Sequence, residues 1–158
     1  TSLTSLAGTP TRPSATPIPI PVMSAEEEIA LALQTLQEFF ELLHAGEYEQ
    51  ASNLYGGSYE MLMEWNPTLS PKDHPRLLKN GCEHNGLNCL RVHDAVFQEK
   101  TDQGEFQFLV AFEYDDGTIF ARNGCCGATE PSPVWQFLYT VKWVNGQLLV
   151  MQLPIYIG

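Results

Sequence analysis

The spacing of apolar residues changes near Cys89, and this change limits the possible folds more strongly than any single motif. Upstream, apolar residues recur every three or four positions, which is typical of amphipathic helices. Downstream, they alternate with polar residues, which is typical of strands that bury one face. Helices followed by antiparallel strands form an α+β architecture. We therefore predict one α+β domain over residues 24–158, with N-terminal helices packed on an antiparallel sheet of four to five strands.

The first helix has sequence signals at both ends. Ser24 is a favourable N-cap residue, and Glu27 completes a capping box with it. Gly46 is typical of the residue that follows a helix. Between the two ends runs one apolar stripe, which consists of Ile29, Leu33, Leu36, Phe40 and Leu43.

Glycines, prolines and alternating residues divide the rest of the domain. Two shorter helices are predicted over residues 47–55 and 58–65. A loop follows because prolines interrupt helices, here Pro67, Pro71 and Pro75. Alternation then predicts strands over residues 90–100, 105–115, 118–122, 135–143 and 148–155. The dipeptides Asp116-Gly117 and Asn145-Gly146 favour hairpin turns between them.

Residues 1–23 differ in composition from the domain that follows. They contain five prolines and frequent Thr and Ser, but no acidic residue. Proline favours extended polyproline II structure, so this segment is predicted to be an extended stalk or linker. An alternative is that Ile18–Pro21 docks in a groove of its own domain or of a neighbouring chain, or that Ile18–Val22 docks on a neighbour's sheet edge.

The charge of the chain excludes one class of function. Eight basic residues face nineteen acidic ones, and the formal net charge is -11. Nucleic-acid binding depends on cationic contacts with phosphates, so nucleic acid is not an expected partner. The sequence also lacks phosphate-binding loops and metal-binding motifs, and we predict neither a cofactor nor a metal.

Four cysteines indicate disulfides and an oxidising compartment. They are Cys82, Cys89, Cys125 and Cys126, and none shows the close spacing of zinc ligands. Adjacent cysteines can pair only through a strained ring. We therefore expect the first two to pair with the last two, in either order.

Two segments carry a resemblance to a known superfamily. Residues 39–55 read FFELLHAGEYEQASNLY, and residues 143–150 read WVNGQLLV. They resemble a helix end, a turn and a final hairpin of the nuclear-transport-factor-2-like superfamily, also called the cystatin-like cone. The chain looks most like stalked, exported bacterial domains and lipoproteins of unknown function. The resemblance implies a curved sheet around a cone-shaped cavity, an extracellular or cell-surface location, and a lipid anchor upstream of Thr1.

Some members of this superfamily are enzymes, and the resemblance directs attention to His93 and Asp94 on the first long strand. One of them would act as the general base of a small isomerase or dehydratase. Tyr48, Tyr55 or Tyr59 would donate a hydrogen bond to a developing oxyanion. This hypothesis requires one of the two candidate bases in a solvent-connected pocket. We favour a non-catalytic role instead, because the predicted inner faces are apolar.

The favoured hypothesis is an exported domain that acts by binding or self-association. Its candidate binding residues are aromatic: Tyr55, Tyr59, Phe108, Phe112, Trp135, Phe137 and Trp143. Such residues form either an apolar binding surface or the core that packs against the first helix. The expected partners are a small apolar ligand and a second copy of the chain, bound through the sheet face or the stalk.

Overall fold

The computed structural model describes residues 22–122 and 133–157. It has an α+β fold, as predicted. The helices are α1 (Ala25–Ala45), α2 (Tyr48–Ser52), α3 (Glu60–Trp65) and α4 (His74–Glu83). The strands are β1 (Leu87–Asn88), β2 (Arg91–Lys100), β3 (Glu105–Glu113), β4 (Phe137–Val144), β5 (Gln147–Val150) and β6 (Ile155–Tyr156).

Helix α1 begins and ends where its capping residues predict. The Ser24 side chain accepts a hydrogen bond from the backbone N–H of Glu27 at 3.2 Å. At the other end, Gly46 adopts the left-handed conformation with φ 80°. The next N–H, of Glu47, donates to the carbonyl of Leu42 at 2.8 Å, which closes the helix end.

The loop predicted after residue 65 is wrong in its second half, where α4 forms. Asp73 caps this helix, since its carboxylate accepts from the N–H of Arg76 at 3.3 Å. Pro75 lies in the first turn, where a backbone N–H has no partner within the helix and its loss costs little. A proline therefore marks the start of this helix and not a break.

Four strands form one antiparallel sheet in the order β2-β3-β4-β5. The predicted Asn145-Gly146 turn joins β4 to β5, with φ 50° and 80° at its two residues. The predicted strand over 118–122 is wrong: single bridges, Glu113–Ile119 and Arg122–Val134, replace it. The last predicted strand is divided, because β5 ends at Val150 and β6 pairs with β1 in a separate two-stranded sheet.

Aromatic residues dominate the core between α1 and the inner sheet face. The Phe40 ring lies 4.8 Å from that of Phe112 and 5.0 Å from that of Tyr139. All three side chains are buried. Of the candidate binding residues Trp135, Phe137 and Trp143, only Phe137 belongs to this core, because both tryptophans are exposed.

The expected cysteine pairing is wrong for the two cysteines that the structure describes. Cys82 and Cys89 are bonded to each other, with a Cα–Cα distance of 5.6 Å. Cys82 lies in the last turn of α4, and the chain reverses at Gly86, whose φ is 91°. That reversal brings Cys89 back beside the helix end. Cys125 and Cys126 lie outside the described residues.

Within residues 22–122 and 133–157, no helix combines the length and the apolar character needed to cross a membrane.

Candidate functional site

An open groove lies between α1 and the β4–β5 hairpin. Its volume is about 360 Å³. Its walls are mostly apolar and consist of Leu31, Thr35, Leu54, Trp143, Gly146, Gln147 and Leu148. The groove forms because the tight turn at Asn145-Gly146 folds β5 back toward the middle of α1.

Two polar side chains in the groove wall donate hydrogen bonds to backbone carbonyls. The hydroxyl of Thr35 donates to the carbonyl of Leu31 at 2.9 Å. The side-chain amide of Gln147 donates to the carbonyl of Asn53 at 3.1 Å. What the groove presents to a ligand is therefore chiefly hydrocarbon and indole surface.

Trp143 forms the rim of the groove and is 37% exposed. Its indole N–H donates to Glu28 at 3.2 Å, and the same carboxylate oxygen lies 3.5 Å from the ammonium of Lys100. That ammonium also lies 5.1 Å from the ring centre of Phe106. These contacts orient the indole, so part of a large aromatic surface stays available to solvent.

The candidate catalytic residues do not line this groove. His93 and Asp94 are both exposed on β2. The imidazole of His93 lies 3.3 Å from Glu113, and Asp94 faces away from α1, opposite Ala111. Tyr48 contacts Glu83 at 3.4 Å, and its pKa is raised by burial and by that carboxylate. None of the three lines the groove, and His93 and Tyr48 each contact a different glutamate instead.

The described residues also offer no metal site: no group of three or more His, Cys, Asp or Glu side chains among them is suitably placed.

Most of the candidate binding residues belong to the core. Tyr55, Tyr59, Phe108, Phe112 and Phe137 are all buried. Trp135 is 48% exposed but does not line the groove, so Trp143 is the one predicted binding residue that does. Sequence reasoning missed the other lining residues, although the Asn145-Gly146 turn signals that Gln147 and Leu148 return beside Trp143.

Tyr55 and Tyr59 are neighbours with different polar environments. Their rings meet edge to face at 5.0 Å, and burial raises the pKa of both phenols. The Tyr55 hydroxyl donates to the carbonyl of Ser58 at 2.7 Å. The buried Tyr59 hydroxyl has no hydrogen-bond partner among the described residues, while its ring stacks on His74 at 3.9 Å.

A second apolar surface lies on the sheet face opposite α1. Val96, Leu109 and Leu138 are paired across three strands and form one row. Val96 and Leu138, at the two ends of the row, are 44% and 52% exposed.

Comparison of the chain with protein-family models, with curated proteins and with solved structures gives no match.

Proposed function

We propose that this chain is an exported, non-catalytic binding domain, and that the groove beside Trp143 holds an apolar ligand. The observation that carries the proposal is the groove itself, with mostly apolar walls, an oriented indole at the rim and two polar side chains that already donate to backbone carbonyls. Ligand sites of this kind gain affinity by removing apolar surface from water.

The chemistry of the groove supports binding more than catalysis. None of its seven lining residues is acidic, basic or a histidine. A general base must lie within hydrogen-bond reach of the proton that it removes. His93 and Asp94 are exposed on β2 and do not line the groove, so an isomerase or dehydratase role has no geometric support.

The proposal includes export and the nuclear-transport-factor-2-like arrangement of α1 on a curved sheet. The Cys82–Cys89 bond supports export, because structural disulfides persist in oxidising compartments. The contacts of Phe40 with Phe112 and Tyr139 support the helix-on-sheet arrangement.

A titration with the neutral fluorescent probe N-phenyl-1-naphthylamine tests the groove. We expect probe emission to rise on binding, and Trp143→Ala to weaken binding about tenfold by removing aromatic contact area. Competition with neutral apolar compounds then defines the ligand class.

Trp135→Ala is the matched control, because it also removes an exposed tryptophan but leaves the groove wall intact. It should retain the probe affinity of the native chain. Equal affinity in the native chain and in both variants, or no binding at all, would contradict the proposed site.

Self-association is the second part of the proposal. The row of Val96, Leu109 and Leu138, exposed at its two ends, offers an apolar surface to a second copy. Sedimentation velocity over a concentration series tests it, and a single monomeric species throughout would count against it.

A further inference from the structure

The groove between α1 and the β4–β5 hairpin is mostly apolar inside, but acidic residues flank it along α1. The α1 residues that line the groove are Leu31 and Thr35. Glu27 lies four positions before Leu31, and Glu38 lies three positions after Thr35. Residues three or four apart on a helix are neighbours, with Cβ atoms about 5–6 Å apart. One carboxylate therefore stands beside each of the two lining residues.

No cation among the described residues is paired with either carboxylate. Glu27 and Glu38 are both exposed. The ion pairs of the described part of the chain include neither of them. Because the formal net charge of the chain is -11, the field of the molecule also attracts cations.

Two lysines lie in the same part of the sheet, and neither offsets these charges. The ammonium of Lys100 lies 3.5 Å from Glu28, which neutralises it locally. Lys142 precedes Trp143 on β4, and neighbouring residues of a strand point to opposite faces. Its side chain is therefore directed away from the groove.

The indole of Trp143 is also suited to a positive charge. Tryptophan is the best of the aromatic side chains at attracting a cation to its ring face. The hydrogen bond to Glu28 uses the indole N–H at the ring edge, and the side chain stays 37% exposed at the rim. A cation at the rim would gain from the ring and from the α1 carboxylates together.

We propose that the ligand of the groove is a small amphiphile with one positive charge, such as an alkylammonium ion. Its apolar part lies in the groove, and its cationic group faces the carboxylates of Glu27 and Glu38. The volume of about 360 Å³ is that of a small-molecule site. This inference rests on the proposed function, since it names the class of ligand for the same groove.

Three competitors with the same alkyl chain test the charge of the ligand. Octyltrimethylammonium, 1-octanol and octyl sulfate are each titrated against bound N-phenyl-1-naphthylamine. We expect the cation to displace the probe at a concentration about tenfold lower than the alcohol, because of the carboxylates and the indole. The anion should be the weakest competitor.

The variant Glu27→Gln/Glu38→Gln removes both charges and retains the size of both side chains. Glutamine also serves at the capping-box position, so α1 should keep its N-terminal end. The preference for the cation over the alcohol should fall to about threefold or less, while the alcohol competes as before. In 1 M sodium chloride, where the Debye length is about 3 Å, the native chain should lose its preference in the same way.

The matched control is Glu60→Gln/Glu64→Gln, which removes two exposed charges from α3. This helix packs on α4, so the variant should retain the full preference for the cation. An equal loss in the control would attribute the preference to net charge and overturn the assignment to the groove.

Two further results separate this inference from the proposed function. If the cation and the alcohol compete equally, or the preference persists in Glu27→Gln/Glu38→Gln, the cationic class is overturned, although Trp143→Ala still weakens probe binding. If no compound displaces the probe and Trp143→Ala has no effect, the groove itself is overturned as a binding site.

Discussion

At the scale of single residues, Tyr55 and Tyr59 show how a hydrogen bond changes the effect of a buried hydroxyl on stability. The two rings touch and both are buried, yet one hydroxyl is hydrogen-bonded and the other has no partner among the described residues. A buried hydroxyl without an acceptor destabilises the folded state, because unfolding returns it to water.

The substitution Tyr59→Phe should therefore leave the free energy of unfolding at pH 7 unchanged or raise it by about 1 kcal/mol. Urea denaturation, followed by circular dichroism, measures the change. A loss of 1 kcal/mol or more would mean that the hydroxyl has a hydrogen-bond partner, such as a bound water.

Tyr55→Phe is the matched control at the adjacent position. It removes the hydrogen bond to Ser58 and leaves a carbonyl unpaired, so it should lower the free energy of unfolding by about 1–2 kcal/mol. The difference between the two variants isolates the hydrogen bond, because both remove one oxygen from a similar ring.

At the scale of elements, the connection between α4 and β1 is stabilised by a disulfide bond and by a set of side-chain hydrogen bonds. The Cys82–Cys89 bond closes a short loop. Asn66, buried at the end of α3, donates to Asn85 at 2.8 Å and accepts from Asn80 at 3.0 Å. Together they hold the short β1–β6 sheet against the helices.

The double variant Cys82→Ala/Cys89→Ala should lower the free energy of unfolding by about 2.5 kcal/mol, the chain-entropy value for a loop of this length. The fold should persist, because the aromatic core does not depend on this loop. Guanidinium denaturation without reductant measures the loss.

Reduction of the native chain provides the comparison for this variant. Reduction of this bond should raise the intact mass of the native chain by about two mass units relative to the unreduced chain. An unchanged free energy of unfolding in the double variant would show that the loop is already ordered by the Asn66 contacts.

At the scale of the whole molecule, the apolar core determines how stability depends on alkaline pH. Burial raises the pKa of Tyr55, Tyr59 and Tyr139 from the ordinary value of 10.0. Below that value, each phenol is protonated in both the folded and the unfolded chain. Above it, the unfolded chain releases protons that the folded chain retains, so unfolding becomes more favourable.

We therefore expect full stability below pH 10 and a loss above it, with a slope of up to about 1.4 kcal/mol per pH unit for each buried tyrosine. Denaturation at a series of pH values between 8 and 11.5 measures this slope. Absorbance at 295 nm should show phenolate from these three residues only as the chain unfolds. Their ionisation in the folded state would contradict the prediction.

The sequence by itself determined the features that depend on neighbours along the chain. The cap of α1 at Ser24, its end at Gly46 and the Asn145-Gly146 turn are confirmed because each needs only a few successive residues. Alternating residues likewise predicted the antiparallel sheet, since burial of one face imposes a period of two.

Only the tertiary structure decided the pairing of Cys82 with Cys89 and the groove. The cysteine pairing depends on where the chain reverses after α4. The groove depends on the distance between α1 and a hairpin more than one hundred residues later in the chain. Periodicity reports which face of an element is buried, but the space between two elements is set by how their side chains pack.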